Sequence, residues 1–251
     1  MNVYLKNLER IEFIVTMACT GRCIHCSEGS HVSGGVHIDG KAAAKAIADV
    51  CGKYDIRSLM TFGGEPLLCP ETVCMIHRAA RAAGIPQRDV ITNGFFSRNP
   101  ERIKEVAEML AESGVSRILL SVDAFHQETI PLGPVKRFAE CAVSAGICTE
   151  LSPAWLVSRD DDNPYNIRTR ELLGEFADTG TGLSEGNIIF PSGNALKYLG
   201  EYFGDKEEYT NPYEDDPRDI HALCFGPDGG VLNGNINDLP ILDIIEAYKP
   251  L

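Results

Sequence analysis

Residues 11–16, Ile-Glu-Phe-Ile-Val-Thr, run directly into Met17-Ala18-Cys19-Thr20-Gly21-Arg22-Cys23-Ile24-His25-Cys26. The first stretch is nearly all β-branched or aromatic and reads as a buried strand. The loop after it holds three cysteines at C-x3-C-x2-C spacing. Thiolates that close in sequence can converge on one metal centre, and Gly21 lets the loop wrap tightly. A structural zinc or a fully ligated iron–sulfur cluster takes four protein ligands, so a cluster held by three leaves one iron open. Spacing alone leaves two other readings: three packed cysteines, or a zinc whose fourth ligand is His25, His31 or His37.

Outward from this loop, short apolar runs alternate with amphipathic helices. The strand candidates are 11–16, 58–62, 89–93, 117–122, 149–157 and 186–190. Most are continuous in aliphatic residues, as expected of parallel strands covered on both faces. Between them, Asp39 caps a stripe of Ala43, Ala46, Ile47 and Val50. Val73, Ile76, Ala80 and Ala83 form a second stripe, closed by Gly84. Asn99-Pro100 starts a third, which Gly114 stops. Phe138, Cys141, Ala142 and Ala145 make a fourth, and a weaker helix is expected over 168–178. Repeated strand–helix units imply a parallel α/β sheet, either doubly wound or an open partial barrel, with its chemistry at the C-terminal strand ends. Residues 191–251 break the pattern and read as an irregular extension of a 1–190 core.

The 251 residues carry a net charge of −13, which disfavours a nucleic-acid partner because no basic patch offsets it. No apolar run reaches the roughly 18–20 residues of a membrane span, and residues 1–10 show no signal-peptide pattern, so a cytoplasmic protein is expected. Nine cysteines in such a chain point to metal or catalytic use of some rather than to disulfides.

Cys19, Cys23 and Cys26 resemble the C-x3-C-x-Φ-C signature of the radical S-adenosylmethionine (radical SAM) enzymes, with His25 where the family usually has an aromatic residue. The resemblance implies a partial (β/α)6 barrel of TIM type and a [4Fe–4S] cluster whose open iron is chelated by SAM. Met60-Thr61-Phe62-Gly63-Gly64-Glu65-Pro66 looks like the family's GGE motif, which would make Gly63, Gly64 and Glu65 receivers of the SAM amino group. Ile91-Thr92-Asn93-Gly94 resembles the TNG motif, and Ser121-Val122-Asp123 the S-x-D segment near the SAM ribose and carboxylate. Ser152 lies where members contact the same groups, although their Gly-rich pattern is absent there.

Two further residues are catalytic candidates. Cys69 is placed to donate a hydrogen atom to a product radical, or is a small core residue. His126 faces substrate, or is a solvated loop histidine. Cys51, Cys141 and Cys148 read as packing. Trp155 reads equally as a pocket wall or a plug at the barrel mouth.

The tail, His221-Ala222-Leu223-Cys224-Phe225-Gly226-Pro227-Asp228-Gly229-Gly230-Val231, then Gly234-Asn235-Ile236 and a helix over 241–248, looks like the SPASM or twitch extension of radical SAM maturases. Its further cysteines are missing, so no auxiliary cluster is expected. The expected activity is reductive SAM cleavage to a 5′-deoxyadenosyl radical that takes hydrogen from a peptide or protein side chain. The alternatives are a small-metabolite substrate or a non-enzymatic zinc or iron–sulfur protein. The expected electron donor is a flavodoxin or ferredoxin.

Overall fold

The computed structural model describes residues 2–29, 31, 35–204 and 213–250. Its strands are β1 (Arg10–Ile14), β2 (Ser58–Phe62), β3 (Gln87–Thr92), β4 (Arg117–Leu120), β5 (Cys148–Leu151), β6 (Ala154–Trp155), β7 (Gly182–Leu183), β8 (Asn187–Ile188), β9 (Ala222–Phe225), β10 (Gly230–Val231) and β11 (Gly234–Asn235), the last two an antiparallel pair of their own. Seven of them form one sheet in the order β7-β5-β4-β3-β2-β1-β9. Every neighbouring pair in it is parallel.

The helices are α1 (Gly40–Cys51), α2 (Pro70–Ala82), α3 (Pro100–Ser113), α4 (Ala124–Gln127), α5 (Leu132–Ser144), α6 (Pro164–Gly174), α7 (Gly193–Tyr198) and α8 (Ile241–Ala247). Side chains alternate across each strand, so Ile11, Phe13, Leu59, Val90, Ile118, Leu120 and Leu151 turn outward. There they are buried in the cores beneath the amphipathic helices. The helices start and stop where their sequence signals lie. Asp39 accepts from Lys41 and Ala42 N–H groups, Asn99 accepts from Glu101 N–H, and Gly114 leaves α3 at φ 88°.

The opposite face is concave and only partly buried. Register puts Glu12, Met60, Asp89 and Arg117 in one row across it, with Ile14 beside Phe62 and Ile91 beside Leu119 nearer the C-terminal rim. Covered by helices on its convex side, the parallel sheet is a partial barrel of TIM type.

Four expectations change. The run 149–157 is two strands, because Pro153 has no N–H and ends the ladder. The main sheet stops after Ser152 N–H donates to Leu120 O (2.8 Å), and β6 pairs with β8 in a separate two-stranded sheet. The strand expected at 186–190 is therefore not the sixth of the barrel. That place belongs to the two-residue β7, and β9 adds a seventh strand at the other edge, where Phe225 stacks on Phe13 at 4.7 Å. The weak helix over 168–178 instead runs Pro164–Gly174 and is capped by Asn163, an Asn-Pro start like that of α3. Cys148, expected to pack, is exposed.

Candidate active site

The cysteine loop leaves β1 and is clasped against the end of β2. Gly64 N–H donates to Thr16 O (2.7 Å) and Glu65 N–H to Ala18 O (2.8 Å). The approach is so close that a Cβ on Gly64 would lie 2.3 Å from Ala18 O, and one on Gly63 would lie 2.5 Å from Thr16 O. Gly63 also has φ 136°. Here the paired glycines admit the backbone of the cysteine loop.

Glu65 is fully buried. Its Oε1 accepts from Thr92 Oγ1 (2.6 Å) and Leu67 N–H (2.9 Å), and its Oε2 accepts from Asn93 N–H (2.8 Å). Burial pushes its carboxyl up to about 7, against the pull of those three donors. The carboxyl thus welds the ends of β2 and β3. Asn93 carries the contact onward, donating from Nδ2 to Thr20 Oγ1 (3.2 Å) and toward Cys19 Sγ (3.6 Å). Asn93, Ser121 and Ser152 occupy one row on the concave face at the ends of β3, β4 and β5, about 4.8 Å from strand to strand.

Cys19, Cys23 and Cys26 are free thiols, close enough that Cys19 and Cys26 both act on the ionisation of Cys23. A Cβ on Gly21 would fall 3.2 Å from Cys23 Sγ and 3.7 Å from Cys19 Sγ. Burial pushes the Cys19 thiol up to about 11 and raises Cys26. It raises Cys23 furthest, helped by Asp123 and by the two other thiols. Buried thiols that oppose one another's ionisation gain most from a cationic centre.

Among the described residues, the one set of three or more ligand-type side chains with donor atoms all within 4.8 Å of one another is His25, Asp123 and His126.

Residues beyond 190 brace the loop. Asn194 N–H donates to Cys26 O (2.9 Å), and its Nδ2 donates to Cys23 O (3.1 Å). His31 lies between Cys26 Sγ (3.1 Å) and Met17 O (2.9 Å). The Ser-Gly-Asn at 192–194 gave no sequence signal beyond its turn composition.

Across the rim, Asp123 is fully buried at the start of α4. It accepts from His126 N–H (2.9 Å) and Ala154 N–H (3.1 Å) and meets His126 Nδ1 at 2.8 Å. Burial would raise Asp123, but His126 holds it down to about 2, and Asp123 raises His126 against desolvation. The His126 ring lies 4.7 Å from His25, which burial lowers to about 4. Cys69 is not brought into this group: it precedes α2 and packs against the helix-side core. Trp155 is nearly buried and donates to Glu185 O (2.9 Å).

The same loop holds a strained residue that sequence reasoning missed. Val157 has φ 68° at the centre of a γ-turn closed by Ser158 N–H to Leu156 O (2.8 Å). Buried Asn166 fixes it, accepting from Leu156 N–H and donating to Leu156 O and Ser158 O.

A family profile described as "Radical SAM superfamily" matches residues 13–141. A Saccharolobus islandicus protein named "Probable GTP 3',8-cyclase" is 31% identical over 125 residues, and the GTP 3',8-cyclase of Chlorobaculum tepidum is 27% identical over 123. Each match takes in 49% of this chain but only 38% and 35% of the relatives' own lengths. Among solved structures, native anSMEcpe with bound AdoMet aligns over 95% of this chain and 80% of its own (TM-score 0.60, 15% identity). Streptococcus suis SuiB bound to precursor peptide SuiA aligns over 95% and 65% (TM-score 0.58, 11% identity). With the profile spanning half of its length and the cysteine triplet inside the match, the chain belongs to the radical SAM superfamily.

Proposed function

We propose that this protein cleaves SAM reductively and uses the resulting radical on a peptide or protein side chain. Family membership implies a [4Fe–4S] cluster and SAM as cofactors. When bound, the cluster supplies the electron that splits SAM into methionine and a 5′-deoxyadenosyl radical able to take hydrogen from an unactivated carbon. The chain's part is to hold and orient these groups and to exclude water.

Cys19, Cys23 and Cys26 are the cluster ligands. Asn93 steadies Cys19, and Glu65 acts through Asn93. Gly63 and Gly64 seat the loop. Asn93, Ser121, Ser152 and Asp123 offer the polar rim for SAM, and Ile14, Phe62, Ile91 and Leu119 a dry wall below it. His126, oriented by Asp123, is the rim's proton-carrying side chain. Residues 191–251 serve as a twitch-like extension without a cluster of its own, bracing the loop and completing the sheet edge. Among the described residues no helix is long and apolar enough to cross a membrane. A cytoplasmic setting with a flavodoxin or ferredoxin as donor suits the free thiols.

The observation that carries this reading is the cysteine triplet inside the family match, with the Cys19 and Cys23 thiols drawn together over Gly21. The substrate class has two supports. Two neighbours solved with a peptide, native anSMEcpe with bound AdoMet and Cp18Cys peptide and SuiB with its precursor peptide, align at TM-scores of 0.60 and 0.58, against 0.51 for BtrN in complex with AdoMet and 2-DOIA, all three over 95% or more of the chain. Among the described residues the concave face also has no unpaired strand arginine for a triphosphate: Arg10 pairs with Glu12 at 2.9 Å, and Arg117 pairs with Asp89 at 2.6 Å. A small metabolite is the second reading, favoured by the names of those cyclases.

The test is anaerobic reconstitution followed by incubation with SAM and dithionite. 5′-Deoxyadenosine should form in the wild type and be lost in Cys19→Ala, Cys23→Ala and Cys26→Ala. A zinc-loaded protein inert to SAM would overturn the proposal.

A further inference from the structure

His25, Asp123 and His126 form a second group of metal-ligand side chains at the rim. His25 comes from the cysteine loop, while Asp123 and His126 sit three residues apart where α4 begins. One ring nitrogen of each histidine and one carboxylate oxygen lie within 4.8 Å of one another. His25 Nδ1 is buried and has no hydrogen-bond partner, a state that costs free energy unless something fills it. Its ring is held in place by Phe125 at 4.9 Å and by His126 at 4.7 Å. Asp123 is fixed by the Ala154 and His126 N–H groups, and its Oδ2 meets His126 Nδ1 at 2.8 Å, so the carboxylate is aimed before any ligand arrives and an ion bound there takes the place of the proton the pair shares.

Two imidazoles and one carboxylate are the donor set of divalent first-row ions that favour nitrogen, and three ligands leave coordination positions open. We propose that His25, Asp123 and His126 bind one divalent transition metal ion, of which zinc is the representative, independently of the three cysteines. The ion neutralises the buried Asp123 carboxylate and gives the His25 ring a polar partner. The site stands whether or not the cluster reading holds. One corollary rests on that reading: Asp123 and His126 belong to both sites, so zinc competes with SAM and displaces the proton that His126 carries.

The test uses zinc alone. In the Cys19→Ser/Cys23→Ser/Cys26→Ser variant, equilibrium dialysis should find one zinc per chain. Adding His25→Ala or His126→Ala should weaken binding at least about tenfold, the lower end of what even an outer-shell partner is worth. A folded triple variant that binds no zinc, or binds it equally well without His126, overturns the site. If the triple variant does not fold, the reconstituted wild-type protein decides. Zinc retained beyond the iron content and lost in His126→Ala supports the site, and zinc absent or unchanged in that variant overturns it. Failure of the cluster would appear in iron content and 5′-deoxyadenosine, which this measurement does not read.

Discussion

The two halves of the rim are built differently. From β1 to β3 the cysteine loop is held by backbone hydrogen bonds at distances only glycine allows, and the buried Glu65 carboxyl locks the strand ends together. From β4 to β6 the chain is shaped by polar side chains: Asp123 on His126, and Asn166 around the γ-turn at Val157. The first half is a rigid seat that tolerates no added atom. The second is held by individual side chains, so single substitutions there read single hydrogen bonds.

Breaking the rigid half should cost most. Glu65→Ala leaves Thr92 Oγ1, Leu67 N–H and Asn93 N–H without their acceptor. Buried orphans cost about 1–3 kcal/mol each, so a loss of about 3 kcal/mol or more is expected in urea unfolding, with reduced iron uptake. A loss under about 1 kcal/mol would deny Glu65 its locking role. Gly64→Ala forces a methyl against Ala18 O and should cost about 1–3 kcal/mol, with poorer cluster incorporation. Normal iron content in that variant would show that the loop can retreat.

The other half gives smaller, tunable effects. His126→Gln should cost about 1.5 kcal/mol, the low end for a charge-assisted hydrogen bond, and the cost should depend on pH. Asp123 is lowered from 3.8, so its share is present above that value and lost as pH falls through about 2. His126 is raised from 6.5, so its share is full below that value and lost as pH climbs through the raised one. The difference between wild type and variant should therefore be greatest between about 4 and 6.5. A flat difference across that range would argue against the pair. Val157→Gly should stabilise by about 1 kcal/mol, since relief of a strained turn outweighs the added chain entropy. A lowered melting temperature would show that the turn carries no strain.

The contrast also explains what the sequence made legible. Strands β1 to β4 and helices α1 to α3 announce themselves by apolar period, Asn or Asp caps and closing glycines, all of which are local signals. The cysteine spacing and the glycines before Glu65 are local too. What escaped depends on distant partners. Gly182-Leu183 has no apolar run and becomes a strand only because β5 offers an edge. Asn194 reaches the cysteine loop across 171 residues. The destination of the Glu65 carboxyl was hidden for the same reason, since Thr92 and Asn93 meet it only when β2 and β3 pair.

The central claim is that the rigid seat holds one cluster through three cysteines and leaves one iron for SAM. The direct measurement is iron and sulfide content of the reconstituted protein, with electron paramagnetic resonance of the reduced form before and after SAM is added. The account predicts about four irons and four sulfides per chain, a signal that changes when SAM binds, and loss of both in the Cys19→Ala, Cys23→Ala and Cys26→Ala variants. A spectrum indifferent to SAM, or about eight irons retained when all three cysteines are replaced, would contradict it.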